Sequence, residues 1–153
     1  MLTADKEIVM QALSNDGSAL EFASDNLRSD KEFILAAVSK DGSSLGFASA
    51  ELLADREIVL AAVSNNARAL KHASDNLKVD KEFVFAAVSA NGYALEFASE
   101  NLKADKEIVI KAINNINNNN IIDISWIQKN KFLDIVPQEI HNDTDIMQAF
   151  TKI

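Results

Sequence analysis

The chain has 153 residues, 48% of them hydrophobic and 25% charged, with a net charge of −8 and no cysteine. That composition predicts a packed domain of ordinary size rather than a disordered chain. It excludes disulfides and thiol catalysis, fits a reducing compartment, and argues against nonspecific nucleic-acid binding, which needs a clustered cationic surface; basic partners are favoured instead.

The first residues, Met1-Leu2-Thr3-Ala4-Asp5-Lys6-Glu7, contain no basic stretch followed by an apolar run. No secretory signal peptide is expected there, and the chain reads as cytoplasmic in the producing cell. No segment approaches the ~20 apolar residues of a membrane-spanning helix, so membrane insertion is not expected.

From Asp5 onward the chain repeats. Asp5, Asp30, Asp55, Asp80 and Asp105 are spaced 25 residues apart without insertion or deletion, each opening the phrase Asp-Lys/Arg-Glu. Periods of this length mark stacked supersecondary units, none of which can bury its apolar face alone. In the unit beginning at Asp30, apolar residues fall at Phe33, Ile34, Ala37 and Val38, the spacing of a helix stripe. Asp30 is the natural N-cap and Glu32 complements the positive helix end, so a helix is predicted over 31–40. Leu35 on its flank, matched by Met10, Leu60, Phe85 and Ile110, predicts cover on more than one side.

Gly42 is read as a left-handed C-terminal stop, as are Gly17 and Gly92; Ala67 at the same place would then cost about 1 kcal/mol. A second, shorter helix is predicted over 43–49, with Leu45 and Ala48 facing the core. Asn26, Asn76 and Asn101 close its counterparts in three units, and Leu27, Leu52, Leu77 and Leu102 plug the turn before the next Asp. The fold class is all-α: an α-solenoid of stacked two-helix repeats with a divergent C-terminal helical cap.

The repeats occupy residues 1–116, as four full units plus half a unit. Residues 117–153 are read as an asparagine-rich loop, part of the run Asn114 to Asn120, and divergent C-terminal capping helices of the same compact domain. Within the cap, Asp123 to Phe132 reads as an extra helix with Trp126 in its core. Leu133 to Ile140 aligns with Leu95 to Leu102, and Asp143 takes the N-cap place of a worn sixth unit. At the other end Ile8 and Val9 lack a preceding repeat to pack on. That makes them a possible docking face, through which a second copy of the chain could form a homo-oligomer.

No catalytic or metal-binding constellation emerges, so no enzyme and no cofactor is expected. His72 and His141 have no ligand spacing around them, and carboxylates recurring in every unit read as caps rather than as one asymmetric active site. Glu7, Glu32, Glu57, Glu82 and Glu107 would align into an acidic ridge, read as a solvated face.

The places where units disagree are more informative. Arg68, Lys71 and His72 stand where the first unit has Ser18, Glu21 and Phe22, and Tyr93 holds the place of Arg68 one unit on. Two readings stay open: a hot-spot cluster for an acidic partner, or drift in which His72 replaces a phenylalanine as a flat ring.

The phrases running from Asp30 to Ser39 and from Ala94 to Glu107 resemble the tandem helical repeats known only as domain of unknown function four-one-one-six, over roughly residues 2–113. The resemblance brings no activity and no catalytic residues. Such repeats occur in intracellular bacterial pathogens such as legionellae, which implies a bacterial effector or effector modulator delivered into a host cytosol. The expected function is therefore a noncatalytic protein-binding scaffold or adaptor, and the alternative is a structural module self-assembling through its N-terminal face.

Overall fold

Each ten-residue helix begins on an aspartate whose carboxylate accepts from backbone N–H groups of the first turn. A computed structural model describes residues 8–9, 11, 17–119 and 131–151, with the side chains of 17–19 and 119 excepted. Its α-helices in chain order are α1 (Asp25–Arg28), α2 (Lys31–Lys40), α3 (Arg56–Asn65), α4 (Asp75–Val79), α5 (Lys81–Ala90), α6 (Glu100–Lys103), α7 (Lys106–Asn119) and α8 (Thr144–Ala149). Asp30 caps α2 by accepting from Phe33 N–H at 3.0 Å, Asp55 accepts from Glu57 and Ile58, and Asp80 accepts from Phe83 at 2.8 Å. The stripes read from sequence are core: Phe33, Ile34, Ala37, Val38, Ile58, Val59, Phe83, Val84, Ile108 and Val109 are at most 2% exposed.

The second helix of each unit differs from expectation. It is a six-residue 3₁₀ segment, Gly17–Phe22, Gly42–Phe47, Ala67–His72 or Gly92–Phe97. Gly42, Leu45 and Ala48 are three residues apart, and three residues per turn stack them on one face without an i+4 partner. Each unit therefore has three helical pieces, the third being α1, the short 3₁₀ turn Leu52–Ala54, α4 or α6. A second cap starts the 3₁₀ segments: Asp41, Asn66 and Asn91 lie in extended backbone and accept from the N–H of Ser43, Arg68 and Tyr93.

The glycine reading is also corrected. Among the described residues none has a positive φ, so neither the glycines nor Asn26, Asn76 and Asn101 supply a left-handed stop. The asparagines lie within the right-handed turns α1, α4 and α6. Gly42 is glycine because a Cβ there would lie 2.3 Å from the carbonyl oxygen of Ala62 and 2.9 Å from Cβ of Asn66; at Gly92 the oxygen of Ala112 would be 2.4 Å away. Close approach of the next repeat's helix, not conformation, selects the residue. Ala67, itself without a positive φ, carries no left-handed cost.

The contacts divide the chain into two units, Met1–Leu77 and Lys78–Ile153. In the first, α2 packs on α3, and the 3₁₀ segments pack in succession from Gly17–Phe22 through Gly42–Phe47 to Ala67–His72. Backbone bonds link successive repeats, from Ser49 N–H to the Arg28 carbonyl at 2.9 Å and from Ser74 N–H to the Leu53 carbonyl at 2.8 Å. In the second, α5 and Gly92–Phe97 pack on α7, and α7 packs on α8.

The asparagine run is not a loop as far as Asn119. α7 carries the apolar stripe on from Ala112 and Ile113 to Ile116, which is 6% exposed. Asn117 donates to the Ala149 carbonyl at 2.9 Å, tying the run to α8. Asp143 caps α8 by accepting from Asp145 and Ile146, which fits the worn sixth unit. Phe132 packs edge-on against Phe150, with ring centroids 5.8 Å apart. Trp126 and residues 120–130 lie outside the described residues.

Candidate functional site

The Asp-Lys-Glu phrase acquires a second role once repeats stack. Lys31 at the start of α2 reaches the start of α3, with Nζ 2.8 Å from Asp55 and 2.9 Å from Glu57. Lys81 does the same to Asp105 at 2.8 Å and Glu107 at 3.1 Å, and Lys106 to Asp143 at 3.1 Å and Asp145. Each lysine thus stitches its repeat to the capping carboxylate of the next, and Glu57 and Glu107 of the expected acidic ridge are partners in the stitch. Sequence reading assigned roles to the Asp and the Glu and none to the lysine between them.

The stitches leave an electrostatic signature. The Lys31 ammonium holds Asp55 below the ordinary carboxylate range, assisted by the N–H groups of Ile58 and Glu57 against the opposing effect of burial. Burial pushes Asp105 up, and Lys81 together with the amides of Ile108 and Glu107 outweighs it. Hydrogen bonds to Asp55 and Glu57 in turn raise Lys31. These carboxylates are engaged as caps and ion-pair partners.

An asparagine clamp reinforces the junctions. Asn65 accepts from Gly42 N–H at 2.8 Å and donates to the Ser39 carbonyl at 3.2 Å. Asn115 accepts from Gly92 N–H at 2.7 Å and donates to the Ser89 carbonyl at 2.7 Å. Each amide satisfies both the end of the preceding helix and the start of its 3₁₀ segment. The available signal was Asn15, Asn65 and Asn115 recurring every second repeat, whereas Lys40 and Ala90 stand between them.

The basic spot lies on this fixed background in the first unit. Arg68 and Lys71 are exposed on the segment Ala67–His72, where the preceding repeat has Ser43 and Gly46. His72 is half-buried, and its ring covers Gly46: a methyl group there would come within 3.0 Å of Cε1. His72 thus fills the place of Phe47 and Phe97 as a flat ring, and the smallest residue in its register position lies beneath it. His141, in the other unit, contacts the Val136 carbonyl through Nε2 at 2.8 Å.

Tyr93 belongs to the second unit. It is 44% exposed and lines a groove of about 850 Å³ with Glu96, Glu100, Lys103, Phe132 and Asp134. At the N-terminal end the two residues of the expected docking face separate. Ile8 is 64% exposed, while Val9 is buried at 4% and offers no surface, because it faces the core as Ile34 and Val59 do. Phe22, the counterpart of His72 in the first repeat, is 80% exposed.

Among the described residues no group of His, Asp or Glu is placed to hold a metal ion, and no helix is long and apolar enough to cross a membrane. The model of a family described as domain of unknown function (DUF4116) matches residues 5–53, 30–78, 55–103 and 80–127, overlapping windows offset by one repeat. No curated protein and no solved structure matches the chain.

Proposed function

We propose, from the premise that this chain belongs to the DUF4116 family, that it is a noncatalytic protein-binding scaffold or adaptor acting through the exposed side of its 3₁₀ segments. The observation that carries the reading is Arg68 and Lys71, exposed on a segment whose preceding copy presents Ser43 and Gly46. A stitched and clamped backbone presents those charges with little ordering cost on binding. Arg68 supplies a planar fork suited to carboxylates, with Lys71 as a point charge and His72 as a ring beside them. The partner is a protein segment rich in carboxylates. The resemblance to repeats of intracellular bacterial pathogens supports an effector or effector modulator, working in the producing cell's cytoplasm or in a host cytosol.

The test is titration of the isotopically labelled chain with a pool of Asp/Glu-rich heptapeptides. Amide signals of Ala67–His72 should move, and Arg68→Glu with Lys71→Glu should weaken binding about tenfold, or ~1.4 kcal/mol. Unchanged affinity would remove the patch.

Self-assembly is the second reading, favoured by one observation: Ile8 is 64% exposed where Phe33, Ile58, Phe83 and Ile108 are at most 2% exposed. Sedimentation across a hundredfold concentration range separates the two readings. Assembly predicts a concentration-dependent mass that Ile8→Glu abolishes, and a constant monomer mass excludes it.

A further inference from the structure

The same crease occurs twice in the fold, once narrow and once wide. In the first unit Asp25 and Arg28 of α1 face Phe47 and Ala48 of the following repeat across a gap of about 190 Å³. In the second, Glu100 and Lys103 of α6 hold the places of Asp25 and Arg28, and Ile135 holds that of Phe47 when the sixth unit is aligned through Asp143. The ion pair is kept as well: Arg28–Asp25 at 3.1 Å and Lys103–Glu100 at 2.8 Å. The volume is not kept, because the wide crease encloses about 850 Å³. Clefts that bury a ligand span roughly 300–1,000 Å³, so the narrow crease falls below that range and the wide one within it.

The lining of the wide crease fits a particular occupant. Tyr93, 44% exposed, and the half-buried Ile135 supply aromatic and aliphatic surface, while Phe132, buried at 4%, belongs to the wall behind it. Lys103, with its side chain 15% exposed, is already paired with Glu100, and the exposed Lys131 also lines the groove, so two lysines stand against the three carboxylates Glu96, Glu100 and Asp134. Glu96 and Asp134 occupy the same register position in the fourth and sixth units and are both exposed. A guanidinium stacks on a phenol ring and takes a carboxylate with two parallel hydrogen bonds. An ammonium can also sit over an aromatic face, but it cannot stack flat on it and meets a carboxylate only as a point charge without the planar fork.

We propose that this groove is a second binding site, for a peptide segment of a partner protein that carries an arginine beside an apolar residue. The arginine lies against Tyr93 and pairs with Glu96 or Asp134, and the apolar neighbour packs on Ile135. The proposal rests on the scaffold reading but uses a different surface and the opposite charge preference.

Two pools of acetylated heptapeptides test it, one mixing Leu, Ile, Phe and Ser with Arg, the other with Glu, each titrated into the labelled full chain. The arginine pool should move amide signals of 92–97, 100–103 and 132–136, and the glutamate pool should leave them in place. Glu96→Lys with Asp134→Lys should weaken the arginine pool at least tenfold. Tyr93→Ser, a single exposed change that guards against a misfolded double variant, should weaken it about threefold. Arg68→Glu with Lys71→Glu should leave it unchanged, so the groove and the basic spot fail or survive separately. The proposal is overturned if the arginine pool leaves the groove signals in place, if the glutamate pool moves them equally, or if Tyr93→Ser binds as the parent does.

Discussion

Phe33, Ile58, Phe83 and Ile108 share one position of the long helices and none exceeds 2% exposure, whereas Ser43, Arg68 and Tyr93 share one position of the 3₁₀ segments and all three are exposed. The first position varies only between Phe and Ile. The second runs from a hydroxyl to a cation to a phenol. Lysine stitches, aspartate caps and asparagine clamps all act at the ends of the long helices, so those helices fix the register and the 3₁₀ surface is free to differ. A repeat protein can then change what it binds without changing how it stacks.

The largest expected effect sets two residues of one register position against each other. Ile58→Ala removes a fully buried side chain and should cost about 2–5 kcal/mol in denaturant unfolding. Ile8→Ala, at the same place in the first repeat and 64% exposed, should stay within about 0.5 kcal/mol. Similar losses at both sites would mean that Ile8 is covered in solution.

Gly42→Ala comes next, at about 1–3 kcal/mol, because the added methyl meets the Ala62 carbonyl and one of the two repeats must shift. A left-handed glycine would also resist alanine, so the discriminating measurement is Gly42→Asn. Asparagine tolerates left-handed backbone, yet it should be no better than alanine here. Asn65→Ala follows at about 1–2 kcal/mol, through the amide of Gly42 left without its acceptor. Its control is Ala90, which holds the equivalent place without a clamp: Ala90→Ser should be nearly silent.

The smallest effect is a change in pH response. Asp55 is held low chiefly by Lys31, so its contribution is fully present above the ordinary value of 3.8 and is lost as pH falls from there through the lowered folded value. Lys31→Met should flatten that acid limb, and added salt should narrow the difference between variant and parent. An unchanged acid limb would show that the stitch carries no linkage.

Much of this was legible in the residues, and the misses share a cause. The aspartate caps, the bounds of α2 and its apolar stripe follow from the fixed periodicity of an α-helix and came through intact. The 3₁₀ segments did not, because Leu45 and Ala48 at i and i+3 suit either helix type over so short a span. Gly42 was assigned to backbone conformation because the neighbouring carbonyl of Ala62 comes from another repeat, and one repeat read alone cannot show it. The lysine stitch and the asparagine clamp were missed for the same reason, since both connect residues of different repeats, 23 or more positions apart. The basic spot was found because it breaks the repeat. The groove beside Tyr93 was not, since it depends on how far the sixth unit stands from the fourth.

We propose that the long helices carry stability while the 3₁₀ surface carries binding. Arg68→Glu with Lys71→Glu tests it most directly, measured on one sample by denaturant unfolding and by titration with the Asp/Glu-rich peptide pool. The unfolding free energy should stay within about 0.5 kcal/mol of the parent and the affinity should weaken about tenfold. A large loss of stability, or binding that persists at parental strength, would contradict it.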